Sequence, residues 1–217
     1  MDEAVFRDRR EAGRLLARRL SRYNDRNDVV VLGLPRGGVP VAYEVARALG
    51  APLDVFVVRK LGVPGHREYA MGAIASGGVR VLNDEVVAAL RIPEAAIEDT
   101  AREERRELER RERAYRDGRA VIALQGRIVL LVDDGLATGS TMAAAVQAVR
   151  SLAPAKIVVA VPVGAPQSCG ELAALADEVV CLRQPEYFAA VGQWYLDFEQ
   201  TSDAEVRELL QERSATA

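Results

Sequence analysis

The amino-acid sequence predicts an α/β fold with a doubly wound, mostly parallel sheet. Short apolar runs rich in Val and Ile are typical of strands that are buried on both faces of such a sheet. Segments with helical character separate these runs, and strands that alternate with helices place helices on both faces of the sheet. The length of 217 residues suits one sizeable domain with an accessory segment. We therefore expect residues 1–217 to form a single domain.

The individual elements follow from these patterns in chain order. Apolar, β-branched runs predict strands over residues 29–33, 54–59, 128–132, 157–163 and 178–182. Amphipathic or Ala-rich composition predicts helices over residues 8–22, 39–49, 94–116 and 141–152. In the charged helix at about 94–116, Glu and Arg interleave at spacings that allow i,i+4 ion pairs. This pattern favours a solvated or interface helix over a nucleic-acid patch.

Composition excludes several classes of protein. The net charge is −3 and both signs are mixed along the chain, so we expect no general attraction to nucleic acid or to anionic membranes. Cys169 and Cys181 match neither a metal-binding spacing nor a disulfide framework. No apolar run approaches the roughly 20 residues of a membrane span, and the N-terminus lacks the pattern of a signal peptide. We expect a cytoplasmic protein.

The stretch "IVLLVDDGLATGSTM", residues 128–142, carries the strongest chemical signal. Asp133 and Asp134 follow an apolar strand, at the edge where open α/β sheets bind ligands. Residues 138–141 precede an Ala-rich helix, and a helix N-terminus suits a phosphate. The Walker lysine pattern is absent, so a phosphorylated sugar fits better, with the carboxylates accepting from ribose hydroxyls. The alternative is an Asp-Asp-Gly turn followed by an ordinary helix cap.

A second motif, "LGLPRGGVPVAYEVA", follows the first predicted strand at residues 32–46. Gly37 and Gly38 remove side chains where a backbone must approach something closely, and Arg36 offers a bidentate donor to phosphate oxygens. The glycine spacing does not match a Rossmann fingerprint. Plain turn chemistry is the alternative interpretation.

A third motif, "VVRKLGVPGHREYAMGAIASGG", covers residues 57–78. Arg59 and Lys60 end an apolar strand, so their side chains are expected at the same cleft as the first two motifs. Lys60 is one of only two lysines in the chain. Residues 61–78 show little periodicity and predict a flexible loop that contains the only histidine, His66. The alternative is a surface loop with a solvated histidine.

Aromatic residues cluster near the C-terminus. Five of the 11 Phe, Trp and Tyr side chains fall within the aromatic segment, which we define as residues 184–200. Such a cluster is typical of a patch that packs on the core or on a second subunit. Alternatively, it forms a small C-terminal hood that stacks on a planar base.

The string at residues 128–142 resembles the phosphoribosyl pyrophosphate (PRPP) loop of the type I phosphoribosyltransferases, an apolar strand followed by two acidic residues and a T-G-x-T turn. The resemblance implies that the two aspartates hold the ribose hydroxyls and that the turn wraps the 5′-phosphate. Some members that use purines have a third aspartate where this chain has alanine. The PRPP-binding residues implied are Asp133, Asp134, Gly135, Ala137, Thr138, Gly139, Ser140 and Thr141.

The same resemblance assigns roles to the other motifs. It implies a pyrophosphate loop with a cis Pro35–Arg36 bond, and a mobile loop that closes over PRPP and excludes water. The pyrophosphate-binding residues implied are Pro35, Arg36, Gly37, Gly38, Arg59 and Lys60. The catalytic candidates are Lys60, His66, Arg67 and Glu68.

The string "VGQWYLDF" resembles the "VG…LDY" segment of hypoxanthine-type members. This implies base binding by Phe188 and Trp194, and a place near the metal for Asp197. Asp133 and Asp134 are further metal candidates, mainly indirect through PRPP and water. One extra residue in this string, and the absence of a lysine at Val163-Gly164, put a 6-oxopurine substrate in question.

The whole pattern, including "F-x-D-R" near the start, is similar to a small bacterial group of type I members without an established base. We expect an enzyme that uses PRPP with Mg²⁺ as cofactor, transfers 5-phosphoribosyl to a small planar base or amine, and releases pyrophosphate. A homodimer is expected, with neither nucleic acid nor a membrane as partner. The alternative is a catalytically silent PRPP- or nucleotide-binding regulatory module. The sequence shows neither a helix-turn-helix pattern nor a basic surface, as a regulator of nucleic acid would, and this favours the enzyme.

Overall fold

The computed structural model describes residues 5–215, except for the side chains of Arg67, Glu68 and Ala215. A central sheet of five parallel strands has the order β2-β1-β6-β7-β8, and a small sheet of three antiparallel strands has the order β3-β4-β5. The strands are β1 Val29–Gly33, β2 Leu53–Val55, β3 Val58–Val63, β4 His66–Ala75, β5 Val79–Leu82, β6 Ile128–Val132, β7 Lys156–Val163 and β8 Glu178–Arg183.

Helices cover both faces of the central sheet, which confirms the predicted doubly wound α/β fold. They are α1 Arg9–Arg19, α2 Gly38–Leu49, α3 Asp84–Ala89, α4 Glu94–Arg116, α5 Ser140–Arg150, α6 Pro166–Ala173 and α7 Asp203–Ala215. Val31 of β1 packs in one apolar core with residues of α1, α2 and α7, whereas its neighbour Val30 packs in a second core with residues of α5 and α6. Because successive strand side chains point to opposite faces, a continuous apolar run fills both cores.

The predicted strand over residues 54–59 is wrong as a single element. The chain leaves the central sheet after β2 and enters the small sheet at Val58. Between them, Phe56 N donates to Gly33 O at 3.0 Å, and Val57 N donates to the Ser76 hydroxyl at 2.9 Å. Phe56 and Val57 are both buried, so the apolar run continues across the break. The hydrophobic pattern therefore does not indicate where β2 ends.

The prediction of an irregular loop over residues 61–78 is also wrong in its secondary structure. This segment forms most of the β3–β4 hairpin and then a short 3-10 turn. Gly72 lies where a Cβ would come within 3.1 Å of Leu82 Cα on β5, so this glycine permits close strand packing. Closure of the hairpin over a ligand stays a prediction.

The helix predicted over residues 8–22 is shorter at both ends. Asp8 is its N-cap, and its carboxylate accepts from Glu11 N at 2.7 Å. A 3-10 turn over Ser21–Tyr23 follows α1. The charged helix α4 has the predicted bounds. Within residues 5–215, no helix combines the length and the apolar character that a membrane span requires.

A buried ion pair fixes α4 to the edge of the central sheet. Arg116 Nε donates to both carboxylate oxygens of Asp54 at 3.1 and 3.2 Å, and Nη2 donates to Val55 O at 3.0 Å. The two side chains are only 8% and 7% exposed. Removing one partner of such a pair leaves the other charge buried without compensation.

Arg116→Ala is therefore expected to lower the free energy of unfolding by about 3–5 kcal/mol, measured by urea denaturation. Arg110→Ala on the same helix is the matched control, because its pair with Glu107 is exposed and should be worth less than about 1 kcal/mol. Equal effects of the two substitutions would contradict the structural role of the buried pair.

Candidate functional site

The two acidic residues of the first motif lie at the carboxyl edge of the central sheet, as predicted. We call Asp133 and Asp134 the carboxylate pair; they follow β6 directly. β1 is the parallel neighbour of β6, with Gly33 opposite Val132. Because parallel neighbours end at the same edge, the chain after β1 and the chain after β6 emerge side by side.

The glycine loop, which we define as residues 35–38, lies directly against the carboxylate pair. A Cβ on Gly38 would be 2.9 Å from Asp133 Oδ1, and a Cβ on Gly37 would overlap the carboxylate of Asp134. Any larger residue would therefore push the two loops apart, which explains the need for glycine. The Pro35–Arg36 bond is cis, as predicted.

The two arginines assigned to pyrophosphate have different surroundings. Arg36 Nη1 lies 3.8 Å from Asp203 Oδ1 at the start of α7, and its side chain is partly exposed. Arg59 Nε donates to Glu104 Oε2 on α4 at 2.7 Å. Arg59 therefore anchors β3 to α4, and its contacts do not support the pyrophosphate role predicted for it.

The predicted phosphate site has the expected backbone form. We call residues 138–141 the phosphate turn; Gly139 has a φ of 69°, and α5 begins at Ser140. A positive φ favours glycine at that position. Among the described residues, no side chain caps this helix start, so the first amides of α5 can donate to an anion. Ser168 Oγ donates to Ala137 O at 2.5 Å and holds the preceding residue.

A cavity of about 610 Å³ adjoins the phosphate turn. Lys60 of β3 lines this cavity together with Ser140 and Thr141. The structure thus brings the predicted lysine and the predicted phosphate turn to one space, although they are far apart in sequence.

The catalytic candidates of the third motif lie near the tip of the β3–β4 hairpin. His66 pairs with Val63 across the Pro64–Gly65 turn and is exposed. The side chains of Arg67 and Glu68 lie outside the part of the chain that the structure describes. The catalytic roles of these three residues stay predictions.

Part of the aromatic segment packs on the core. Trp194 is buried in a cluster with Phe6 and Tyr195, and Phe188 is partly buried against the same cluster. Trp194 is therefore a packing residue, and the predicted stacking on a base depends on Phe188. Val191 covers Gly135, where a Cβ would lie 2.6 Å from Val191 Cγ1.

Two residues that sequence reasoning did not assign contact the carboxylate pair. Tyr195 Oη donates to the backbone oxygen of Asp134 at 2.6 Å, and Arg9 Nε donates to Asp134 Oδ2 at 2.8 Å. Arg9 is the arginine of the "F-x-D-R" string, so that string was the available signal.

The carboxylate pair is electrostatically costly. Burial, and then the charge of Asp134, raise the pKa of Asp133 well above its usual range. Burial also raises the pKa of Asp134, and the Arg9 guanidinium opposes this shift. Burial raises the pKa of Tyr195 as well, which keeps its hydroxyl a neutral donor. A ligand that donates hydrogen bonds to the pair would offset part of this cost.

Among the described residues, no group of three or more His, Cys, Asp or Glu side chains could hold a metal ion. Asp197 lines a different small cavity with Asp8 and Glu199, so the structure does not join it to the carboxylate pair as a ligand set. Two neighbouring carboxylates nevertheless fit Mg²⁺, which usually keeps several waters and binds through one or two carboxylates and substrate phosphates. The chemistry available is thus an anion site, a hydroxyl-accepting pair and a nearby lysine.

Comparison with known proteins agrees with this geometry. The phosphoribosyl transferase domain family matches residues 7–199. The chain belongs to this family. Two curated relatives, "Putative phosphoribosyl transferase MT0597" and "Putative phosphoribosyl transferase Rv0571c" of Mycobacterium tuberculosis strains CDC 1551 and H37Rv, are each 54% identical over 202 residues. These cover 93% of this chain but 45% of each relative, so the chain spans about half their length.

A solved structure extends the comparison to the fold. The crystal structure of TT1426 from Thermus thermophilus has a TM-score of 0.85 and 48% sequence identity, and the match covers 96% of this chain and 98% of that one. The fold of this phosphoribosyl transferase family member is therefore shared over nearly its whole length.

Asp133→Asn is expected to stabilise the ligand-free protein at neutral pH. A carboxyl whose pKa is raised by folding releases a proton on unfolding once the pH exceeds its ordinary value of 3.8. The wild type thus loses stability as the pH rises from that value toward the folded-state pKa. The variant lacks this loss, so its free energy of unfolding at pH 7 should exceed that of the wild type by about 1–2 kcal/mol.

Urea denaturation across pH measures this effect, and the difference should vanish well below pH 3.8, where Asp133 is protonated in both states. Asp99→Asn is the control, because Asp99 is exposed on α4; it should change stability by less than about 0.5 kcal/mol. A less stable Asp133→Asn at pH 7 would contradict the cost assigned to this carboxylate.

Proposed function

We propose that this protein is a phosphoribosyltransferase that takes PRPP with Mg²⁺, transfers the 5-phosphoribosyl group to a base or amine nucleophile, and releases pyrophosphate. The observation that carries the proposal is the convergence of the glycine loop, the carboxylate pair and the phosphate turn at adjacent strand ends. These three parts match the three chemical groups of PRPP, which are pyrophosphate, ribose hydroxyls and 5′-phosphate.

Each part has a defined task. The amides of the phosphate turn bind the 5′-phosphate, and the carboxylate pair accepts from the ribose hydroxyls. Arg36, Lys60 and the glycine-loop amides stabilise the negative charge that develops on the leaving pyrophosphate. Mg²⁺, when bound with PRPP, neutralises phosphate charge, and Asp133 and Asp134 are the residues that would hold it through water.

The reaction is a displacement at C1 of the ribose. A ring nitrogen or amine attacks C1 as the bond from C1 to the pyrophosphate oxygen breaks, with inversion and an oxocarbenium-like transition state. The nucleophile brings the electron pair of the new bond, and pyrophosphate leaves with that of the old one. Phe188 is proposed to stack on a planar acceptor, because its ring is the partly exposed one in the aromatic cluster.

The proposal predicts pyrophosphate release when the protein is incubated with PRPP, Mg²⁺ and a panel of planar bases and amines. In Asp133→Asn/Asp134→Asn, two sets of charge-assisted bonds, each worth about 1.5–3 kcal/mol, are weakened. PRPP affinity by calorimetry and the rate of release should fall at least about 100-fold. Orthophosphate binding should be retained, because the phosphate turn is unchanged.

Two outcomes would count against the proposal in different ways. PRPP that binds without releasing pyrophosphate for any acceptor would identify a silent binding module, the alternative function. Unchanged PRPP affinity in the double variant would remove the ribose role from the carboxylate pair.

Arg36→Ala is expected to weaken pyrophosphate binding about tenfold and to leave ribose 5-phosphate binding nearly unchanged, because the arginine belongs to the glycine loop that faces the leaving group. Arg59→Ala is the matched control from the same predicted set, since its guanidinium is engaged by Glu104. Calorimetry with pyrophosphate and with ribose 5-phosphate measures both variants, and Arg59→Ala should leave the binding of both ligands nearly unchanged. Equal losses for both ligands in Arg36→Ala would contradict the assignment.

A further inference from the structure

Arg9 is held from three sides at the edge of the proposed ribose site. Its side chain is 12% exposed, and that of Asp134 is 14% exposed. Nε donates to Asp134 Oδ2 at 2.8 Å, and Nη1 donates to Glu199 O at 2.7 Å. Its Cζ also lies 3.9 Å from the centroid of the Phe198 ring. The guanidinium therefore joins α1, the aromatic segment and the carboxylate pair.

These contacts depend on the shape of the arginine side chain. A planar guanidinium can donate in two directions while its face stacks on a ring, whereas a lysine ammonium is a compact point charge. Other groups near Asp134 include the Asp133 carboxylate, the Gly37 backbone and the Tyr195 hydroxyl, which donates to the backbone oxygen of Asp134. Among the described ion pairs, Arg9 is the cation in direct contact with Asp134.

Arg9 contacts one oxygen of the carboxylate, Oδ2. The other oxygen, Oδ1, can then accept a hydrogen bond from a ligand hydroxyl, with the plane of the carboxylate fixed by the guanidinium. The Gly37 backbone packs against the same oxygen as Arg9, because a Cβ at this position would overlap the carboxylate at Oδ2. Arg9 and Gly37 thus both contact the Oδ2 side of the carboxylate and leave Oδ1 as the acceptor for a ligand.

We infer that Arg9 is a positioning residue that orients Asp134 toward a ribose hydroxyl and couples it to the segment at residues 197–199. This inference rests on the proposed function, because it takes ribose as the group that Asp134 binds. It goes beyond that function by assigning ribose recognition to a residue outside the PRPP loop.

A purely structural role for Arg9 predicts a different result. If Arg9 only held elements together, its loss would weaken the binding of every ligand by the same factor. If it positions Asp134, its loss should reduce the contribution of one ribose hydroxyl and spare the phosphate. Comparing ribose 5-phosphate with its 2-deoxy and 3-deoxy analogues isolates that contribution, as in a double-mutant cycle.

The experiment measures the binding of these three sugar phosphates and of orthophosphate to the protein by calorimetry. The variants are Arg9→Met, Arg9→Lys and, as matched control, Arg7→Met, because Arg7 is an exposed arginine two residues away. The wild type and Arg7→Met should prefer ribose 5-phosphate over at least one deoxy analogue by about tenfold, the value of one good hydrogen bond.

In Arg9→Met this preference should fall below about twofold, while orthophosphate affinity stays the same. Arg9→Lys keeps the charge without the planar fork and should regain only part of the preference. A full preference in either variant, or an equal loss for all four ligands, would overturn the positioning role. A wild type that binds orthophosphate but shows no ribose preference would instead overturn the proposed function, and the inference with it.

Discussion

The close approach of the glycine loop to the carboxylate pair is the constraint on which the rest of the site depends. Neighbouring parallel strands β1 and β6 end at the same edge, so their following loops must share one space. That space has no room for a Cβ on Gly37 or Gly38. The same packing sets the width of the cleft, because larger residues would separate the glycine loop from the carboxylate pair. Only a short loop connects β6 to α5, so the phosphate turn lies at the same edge of the sheet.

This arrangement concentrates negative charge where little counter-charge is available. Burial raises the proton affinity of both adjacent carboxylates, and Arg9 alone contacts one of them among the described ion pairs. A core optimised for stability would avoid such a pair, as buried charges cost free energy unless they are compensated. An unfavourable arrangement of this kind is expected at a site whose hydrogen bonds are completed only when a ligand binds. The geometry therefore favours a binding site over a plain turn.

The parts of the fold that local patterns determine were predictable, and the parts set by distant packing were not. β1, β6 and α4 have the predicted bounds because their periodicity is unbroken and their ends are marked by polar residues or glycine. The break between β2 and β3 lies inside a buried apolar run, and Gly72 of the hairpin serves strand packing, so neither feature could be predicted from composition. The contact of Arg9 with Asp134 spans 125 positions, beyond the reach of any local pattern.

The aromatic segment shows why the acceptor was the hardest feature to predict. Its composition suits both a base-stacking hood and a core patch, and the structure buries only part of the segment. Trp194 and Tyr195 pack inward, and Tyr195 also holds the Asp134 backbone, whereas Phe198 and the Glu199 carbonyl hold Arg9. Tyr195, Phe198 and Glu199 thus brace Asp134 directly or through Arg9. A substitution in this segment that is chosen for its effect on the proposed acceptor is therefore expected to disturb Asp134 as well, because the same short stretch of chain contains both sets of residues.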